Sequence, residues 1–485
     1  MSPAITDLCY LSATELAAAI RAKKVSSREA LDALLERVER HDRDLNLVVT
    51  LDPERARRDA AAADDELARG EWRGPLHGVP MTIKDSFQTA GLRTTSGAPD
   101  LAHHIPGEDA VPVARLRAAG AVVFGKTNLP LYAGDVQSYN AVFGQSNNPW
   151  DPSRTPGGSS GGAAGALAAG LTPLELGSDI GGSIRNPSHS CGVVGHKPSY
   201  RLVPAQGQIP GPPGTLTQAD IAVAGPMART VEDLELGLDV LAGPDEWESV
   251  GWSLALRPAR HDRLEDFRIA AWIDDELCPL SRQVSALLAG AVDALERAGA
   301  TVARDARPDF TLAYASRVFD QLLGAAECGG FTYDEIESMA QRVLTGSHDP
   351  GMEHSVLRHR AWLSANERRL QMRKKWFHFF KEWDAVLLPV SPVPAIPHDH
   401  SEPMSRRTIQ VDGEPRPYGD LIKWMGVTGV AYLPATVVPV GLTPEGLPVG
   451  IQIAGPYLED RTTLAIARHL ERLLGGFRPP PGLAS

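Results

Sequence analysis

Two glycine-rich stretches decide how this sequence is interpreted: GGSSGG at residues 157–162 and GSDIGGSIRNP at residues 177–187. In the second stretch, Gly181 and Gly182 stand directly before Ser183. Consecutive glycines let backbone N–H groups converge on one point, because glycine tolerates backbone angles that other residues avoid. A serine at the end of such a turn can attack an acyl carbon while those N–H groups hold the developing oxyanion. The stretch therefore predicts a serine-nucleophile site, although an isolated Gly-Gly-Ser is also typical of a plain turn.

A serine nucleophile needs a base, and the first stretch raises the alternative of an α/β-hydrolase elbow. Both Ser159 and Ser160 satisfy G-x-S-x-G. That elbow requires a strand before the serine, whereas residues 148–156 (NPWDPSRTP) contain three prolines, which predicts a loop. The elbow is therefore the weaker interpretation.

Composition and charge restrict the class of protein. Hydrophobic residues make up 43% of the chain and charged residues 22%, which is ordinary for a soluble globular protein. The formal net charge of −12 argues against nucleic acid or an anionic membrane surface as the main partner. The four cysteines (9, 191, 278 and 328) form no C-x-x-C pair, so we expect neither a zinc ribbon nor a disulfide framework.

No apolar run is long enough to span a membrane, and the N-terminus lacks the basic and apolar regions of a signal peptide. We therefore expect a cytoplasmic protein without a membrane span.

Alternating helix and strand patterns predict an α/β fold, with a central twisted mixed β-sheet flanked by α-helices on both faces. Capping boxes at Ser12-x-x-Glu15 and Ser26-x-x-Glu29 predict two N-terminal helices. The Pro- and charge-rich stretch 391–418 predicts a long loop. We expect a single domain over residues 1–485, made of N-terminal helices (1–70), a core with the glycine-rich stretches (71–245) and a more variable remainder (246–485).

GAVVFGKT at residues 120–127 fits G-x-x-x-x-G-K-[ST] and so offers a nucleotide-binding alternative. Its four variable residues, Ala, Val, Val and Phe, favour a strand and cannot form the turn that wraps a phosphate. A buried strand ending in a turn explains the stretch better, with Lys126 at the surface.

The two glycine-rich stretches, together with Lys84 in GVPMTIKD, resemble the amidase signature family. The 24-residue separation of Ser159 and Ser183 suits that family. So do the flanking segments GAVVFGKTN, NPWDPSRTPGG, GPMARTVED and GLPVGIQIAGP. The similarity runs from about residue 12 to about residue 470 and is densest between residues 77 and 235.

The resemblance implies a Ser–cis-Ser–Lys triad in which Ser183 is the nucleophile, Ser159 the bridging serine after a cis peptide bond, and Lys84 the base. An unperturbed lysine, with a pKa of ~10.4, is almost wholly protonated at neutral pH. Lys84 must therefore be desolvated until its pKa approaches ~7–8. Asp85 would oppose that shift if it faced Lys84, so we expect its side chain to point elsewhere.

The resemblance also implies an oxyanion hole and residues that support it. The oxyanion hole, which is also part of the substrate-binding surface, would be formed by the backbone N–H groups of Ile180, Gly181, Gly182 and Ser183. The supporting positions would be Ser160, Asp179 and Arg185. No metal and no organic cofactor is implied.

The implied activity is hydrolysis of a small-molecule linear amide to an acid and ammonia or an amine through an acyl-enzyme. Esters and carbamates stay open as substrates, and a homodimer stays open as the assembly. An amidotransferase A-type subunit working with partner chains is an alternative. The stretch TLTQADIAVAGP (215–226) departs from the Asp-Gln before Gly-Pro that is usual in that branch.

Substrate choice is expected to depend on the loop 131–146 and on residues 309–427. The apolar and aromatic residues Trp424, Met425 and Tyr432 favour a hydrophobic or aryl acyl group.

Overall fold

The computed structural model describes residues 5–209 and 211–483. Residues 1–4, part of the N-terminal stretch in which no signal peptide is expected, lie outside the described residues, as do residue 210 and residues 484–485.

Within the described residues, the α-helices α1 to α15 span Ile5–Tyr10, Ala13–Arg21, Ser27–His41, Pro53–Ala68, Val111–Ala118, Gly161–Ala168, Arg185–Cys191, Val231–Leu241, Arg282–Arg297, Leu312–Glu327, Tyr333–Leu344, Pro350–Ser355, His359–Phe379, Asp420–Gly429 and Asp460–Leu474. The strands β1 to β15 span Val48–Leu51, Pro80–Lys84, Val122–Thr127, Tyr139–Asn140, Gly144–Gln145, Leu174–Asp179, Val194–Lys197, Val223–Ala228, Arg268–Ala271, Thr301–Ala303, Ala385–Pro389, Thr408–Val411, Glu414–Pro417, Ala435–Leu442 and Pro448–Ala454.

One mixed sheet of 11 strands dominates the described chain, in the order β1-β3-β2-β6-β8-β7-β14-β15-β11-β9-β10. Strands β3, β2 and β6 are parallel to one another, whereas β6, β8, β7, β14 and β15 pair antiparallel. Helices α6, α7 and α14 pack together on one side of these strands, and α8, α9 and α15 pack together on the other. The predicted α/β class, with a mixed sheet between helical layers, is confirmed.

Local sequence signals set the N-terminal helices as expected. The side chains of Ser12 and Ser26 accept hydrogen bonds from the backbone N–H groups of Glu15 and Glu29. The two glutamate side chains in turn accept from the backbone N–H groups of the serines, so both capping boxes form. The buried faces of these helices, including Leu16, Leu31 and Leu34, join the main apolar core.

The prediction of a continuous loop over residues 391–418 is wrong. Strands β12 and β13 form a hairpin whose turn is Asp412-Gly413, both at positive φ (52° and 90°). An Asp-Gly pair between short alternating segments is a strong hairpin signal. The side chains of Ile409 and Val411 are buried in a small apolar cluster, which gives the hairpin its inner face.

Residues 122–127 form the buried strand β3 between β1 and β2, as expected, which leaves no turn to cradle a phosphate. The surface position predicted for Lys126 is wrong, because the side chain is completely buried. Its ammonium donates to the carbonyl of Phe87 and, at 2.7 Å, to the Thr89 hydroxyl, so polar partners inside the fold replace water.

Among the described residues, no helix combines the length and apolar character that crossing a bilayer requires.

Helix α6 begins at Gly161, within the GGSSGG stretch, and lies against the sheet with every residue buried. A Cβ at Gly162 would lie 2.4 Å from the backbone nitrogen of Asn128 and 2.6 Å from its carbonyl oxygen. The helix can approach the sheet this closely because Gly162 has no side chain, and that approach sets the position of Ser159 at the helix start.

We expect Gly162→Ala to lower the free energy of unfolding by about 1–3 kcal/mol, because the backbone must move to admit the methyl group. Gly290 in α9 is the matched control, since a Cβ there has nothing within 4 Å. Gly290→Ala should be neutral or stabilising by up to about 1 kcal/mol. Denaturant unfolding of both variants checks this, and equal effects would contradict the proposed close approach.

Candidate active site

Three neighbouring backbone segments bring the implied triad together. Lys84 is the last residue of β2, Ser159 lies in the turn before α6 after a cis peptide bond from Gly158, and Ser183 lies between β6 and α7. Strands β2 and β6 are parallel neighbours, with Ile83 opposite Leu176. Parallel neighbours end at the same edge of a sheet, so the residues that follow them meet there.

Lys84 and Ser159 are in direct contact. The Lys84 Nζ lies 2.6 Å from the Ser159 Oγ and 3.0 Å from the Ser178 Oγ, and all three residues are buried. Ser183 is 7% exposed, and its hydroxyl makes no hydrogen bond to any other described residue. The structure thus places the lysine–serine pair in the interior, whereas the Ser183 hydroxyl is not committed to another described group.

The environment of Lys84 favours the neutral amine. Burial lowers the pKa of Lys84 to about 7, against the opposing charges of Asp179 and Glu175. The Asp85 carboxylate accepts from the backbone and hydroxyl of Thr95 and is not a ligand of Lys84. The prediction that Asp85 points elsewhere is confirmed.

Asp179 organises the turn that carries Ser183. Its carboxylate accepts from the N–H groups of Gly182 (2.9 Å) and Ile184 (3.1 Å). It also accepts from Arg185 Nε at 3.0 Å and Nη2 at 2.8 Å, in an ion pair with no exposed side-chain surface. Burial alone would raise the pKa of Asp179, but the Arg185 guanidinium outweighs it and holds that pKa below its usual range.

Residues 180–183 form the turn that the resemblance implies as the oxyanion hole, here called the oxyanion turn. It differs in one respect from the implied arrangement of four donors. The Gly182 N–H is already committed to Asp179, while those of Ile180, Gly181 and Ser183 donate to nothing else within the described residues. Gly182 has φ +125°, and a Cβ there would lie 2.4 Å from the Met425 sulfur. The backbone angle therefore favours glycine at this position, and the Met425 side chain packs directly against it.

Ser160 joins the two turns, as the resemblance implies for a supporting residue. Its backbone N–H donates to the Ser183 carbonyl at 3.1 Å, and its hydroxyl donates to the Ser178 carbonyl at 3.3 Å. The two glycine-rich stretches are thus held in register with each other.

Other residues of the site were not identified from sequence. Arg185 donates to the Met425 carbonyl, the Thr428 hydroxyl and Gln452 Oε1, at 2.8, 2.9 and 3.1 Å. These partners are about 240 to 270 residues away in the chain, so no local pattern indicates them. Ser178 is different, because its place one residue before Asp179 is a signal that sequence reasoning could have used.

The space beside the oxyanion turn is apolar. A Cβ at Gly181 would lie 3.9 Å from Ile422 Cδ1, 3.9 Å from Phe319 Cζ and 4.0 Å from Leu323 Cδ2. Helices α10 and α14 supply these side chains. The loop 131–146 also borders the site, because a Cβ at Gly158 would lie 2.6 Å from the backbone of Gln137.

Trp424 and Tyr432, two of the three residues predicted to favour an apolar acyl group, belong to the same apolar cluster as Phe319, Leu323 and Ile422. Trp424 is fully buried and donates from its indole N–H to the Cys278 carbonyl. The Tyr432 hydroxyl donates to Asp220, and its ring stacks on Tyr200 at 4.1 Å. Met425 does contact the oxyanion turn. The preference for an apolar or aryl acyl group stays a prediction.

No group of three or more His, Cys, Asp or Glu side chains within residues 5–209 and 211–483 is arranged to hold a metal ion.

Comparison with known proteins gives the chain a family. The amidase family model matches residues 29–464. The A-type subunit of the glutamyl-tRNA(Gln) amidotransferase of Anaeromyxobacter sp. (strain K) is 33% identical over 517 residues, covering 99% of this chain and 100% of that protein.

Solved structures agree with the family model. A crystal structure of an amidase superposes with a TM-score of 0.79 at 29% identity, covering 96% of this chain and 100% of that one. A bacterial aryl acylamidase of the amidase signature family superposes with a TM-score of 0.78 at 26% identity, covering 96% of each chain. The chain belongs to the amidase signature family.

Proposed function

We propose that this protein is a serine amidohydrolase that cleaves a linear carboxylic amide through an acyl-enzyme on Ser183. The observation that carries the proposal is the buried Lys84 Nζ at 2.6 Å from the Ser159 Oγ, with Ser183 held against that turn by the hydrogen bond from the Ser160 N–H to the Ser183 carbonyl at 3.1 Å. A pKa of about 7 leaves roughly half of Lys84 neutral at neutral pH, which a general base requires.

In the acylation step, the Ser183 Oγ attacks the substrate carbonyl carbon and forms a new C–O bond. The Ser183 proton passes to the Ser159 oxygen while the Ser159 proton passes to the Lys84 nitrogen. The charge that develops on the substrate oxygen faces the uncommitted N–H groups of Ile180, Gly181 and Ser183. One such donor contributes roughly 3 kcal/mol to stabilising the transition state.

Collapse of the tetrahedral intermediate breaks the C–N bond. The leaving nitrogen takes a proton from Ser159, which regains one from Lys84, so the relay returns to its starting state. Water then attacks the Ser183 ester, with the same relay taking its proton, and releases the acid. Every proton that Lys84 receives is returned within the cycle, so no external acid is needed.

The apolar side chains of Phe319, Leu323 and Ile422 around Gly181 support an apolar or aryl acyl group. They offer no hydrogen-bond donor or acceptor to a polar head group, and burying an unpaired charge against them would be unfavourable. Esters and carbamates with the same acyl character fit the same chemistry.

A second candidate function is that of an amidotransferase A-type subunit that works with partner chains. The observation that favours it is the 33% identity to such a subunit over nearly the whole of both chains. The triad chemistry would be the same in both cases, and the two candidates differ in substrate and in dependence on partners.

The base role of Lys84 predicts a pH dependence. Since Lys84 must be neutral, kcat/KM for an uncharged amide should fall about tenfold per pH unit below pH 7 and level off above it. Lys84→Met should lower kcat/KM by about 100-fold or more near neutral pH and remove this acid limb. Initial rates from pH 5 to 9 check this, and an unchanged acid limb in Lys84→Met would contradict it.

The apolar surroundings of the oxyanion turn predict a substrate preference for the chain alone. We expect ammonia release from an aryl amide such as benzamide, or from an aliphatic amide, to exceed that from glutamine by about tenfold or more in kcat/KM. Ser183→Ala is the control for contaminating activity. If glutamine is the one amide that is hydrolysed, and only after partner subunits are added, the result would instead support the amidotransferase candidate.

A further inference from the structure

Glu175 is a buried carboxyl group close to the triad for which the mechanism above has no role. It lies on β6 opposite Thr82 on β2, with 1% of its surface exposed. The Thr82 hydroxyl donates to its Oε1 at 2.5 Å, and the backbone N–H of Leu176 donates to its Oε2 at 3.1 Å. An interior acid held in this way is uncommon, because an ionised carboxylate loses its hydration on burial.

Strand pairing places two lysines near this acid, one on the neighbouring strand β2 and one on β3, the next strand beyond it. Lys84 follows Thr82 by two residues on β2, and Lys126 lies on β3 opposite Ile83. Adjacent strands are about 4.8 Å apart. Lys84 therefore lies one strand away from the strand that carries Glu175, and Lys126 lies two strands away. Glu175 acts electrostatically on both Lys84 and Lys126.

Other charged groups also act on the two lysines. Asp179, at the end of β6, acts on Lys84, and Asp85, Arg117 and Asp109 act on Lys126. Strand β8, which places Met227 opposite Glu175, has no titratable residue within its range. Helix α6, which packs over β2 and β6, has none either. The electrostatic balance at Lys84 therefore rests on Glu175 and Asp179.

We propose that Glu175 is a positioning residue for catalysis, whose buried carboxylate keeps Lys84 basic enough to accept a proton through Ser159. The proposal rests on the proposed function of the triad. Beyond that function, the basicity of Lys84 depends on a charge on the neighbouring strand as well as on the loss of water around the amine.

The direction of the effect follows from the charges. Burial pulls the proton affinity of Lys84 down, and a nearby negative charge pulls it up. Asp179 has the larger effect on Lys84, but its carboxylate also holds Arg185 and the turn that carries Ser183, whereas Glu175 has no ion pair among the described residues and can lose its charge without breaking one. Burial raises the pKa of Glu175, whereas the hydrogen bonds from Thr82 and from the backbone of Leu176 favour its ionised form.

Glu175→Gln tests the proposal because it keeps the shape and the acceptor for Thr82 but removes the charge. The probe is an alkyl fluorophosphonate, which phosphonylates an activated serine hydroxyl and so needs no knowledge of the natural substrate. Its rate of reaction with Ser183, followed by mass spectrometry from pH 5 to 9, reports the fraction of neutral Lys84. Glu175→Asp, which keeps the charge, is the matched control.

We expect the midpoint of the acid limb in Glu175→Gln to move to lower pH by roughly 0.5–1 unit, with a lower plateau rate. Glu175→Asp should keep a midpoint close to that of the unmodified protein. A plateau that falls in both variants while the midpoint stays fixed would show a merely structural role and overturn the proposal. If Glu175→Gln does not fold, Thr82→Val, which disfavours the ionised carboxylate, should shift the midpoint in the same direction, and an unshifted midpoint would again overturn it.

The same experiment separates this inference from the proposed function. Absence of phosphonylation at Ser183 at every pH, as in the Ser183→Ala control, would count against the triad itself. If Ser183 is labelled with a midpoint near pH 7 and Glu175→Gln does not move that midpoint, the triad is retained and only the role of Glu175 is overturned.

Discussion

The site depends on an amine held away from water. Lys84 is completely buried at the end of a central strand, with its nitrogen against two hydroxyl groups and no carboxylate in direct contact. Burial disfavours the ammonium ion, and the distant negative charges limit how far that effect goes. The result is an amine that is a usable base at neutral pH, although lysine is ordinarily far too strongly protonated for that role. Strands on both sides and the close-packed helix α6 are what keep water out.

The nucleophile depends on a second buried interaction, the Asp179–Arg185 ion pair. Asp179 fixes the turn by taking the N–H groups of Gly182 and Ile184, and Arg185 connects that turn to the carbonyl of Met425 and to Gln452 on β15. Buried ion pairs are often not stabilising in themselves, but removing one partner leaves an uncompensated charge. The pair thus makes the geometry of Ser183 conditional on correct packing of the C-terminal third of the chain. This explains how a site made of short local motifs requires the whole fold.

Sequence reasoning succeeded where the signal is local and failed where it is not. The capping boxes at Ser12 and Ser26, and strand β3 within GAVVFGKT, follow from neighbouring residues. Burial of Lys126 could not be predicted, because its polar partners come from a turn about 40 residues earlier, brought close by β2–β3 pairing. Glu175 was missed for the same reason, since only the β2–β6 register places it opposite Thr82. The hairpin at 408–417 is a different kind of failure, because its Asp-Gly turn was visible in the sequence.

The most direct test of this account is the titration of Lys84 itself. Nitrogen NMR of the side-chain amine in ¹⁵N-labelled protein, assigned by comparison with Lys84→Met, would follow its protonation without any substrate. The account predicts half-protonation near pH 7 in the folded protein, with the exposed lysines still charged at that pH. An amine that stays protonated beyond pH 9 would contradict it, because Ser159 would then have no base to receive its proton.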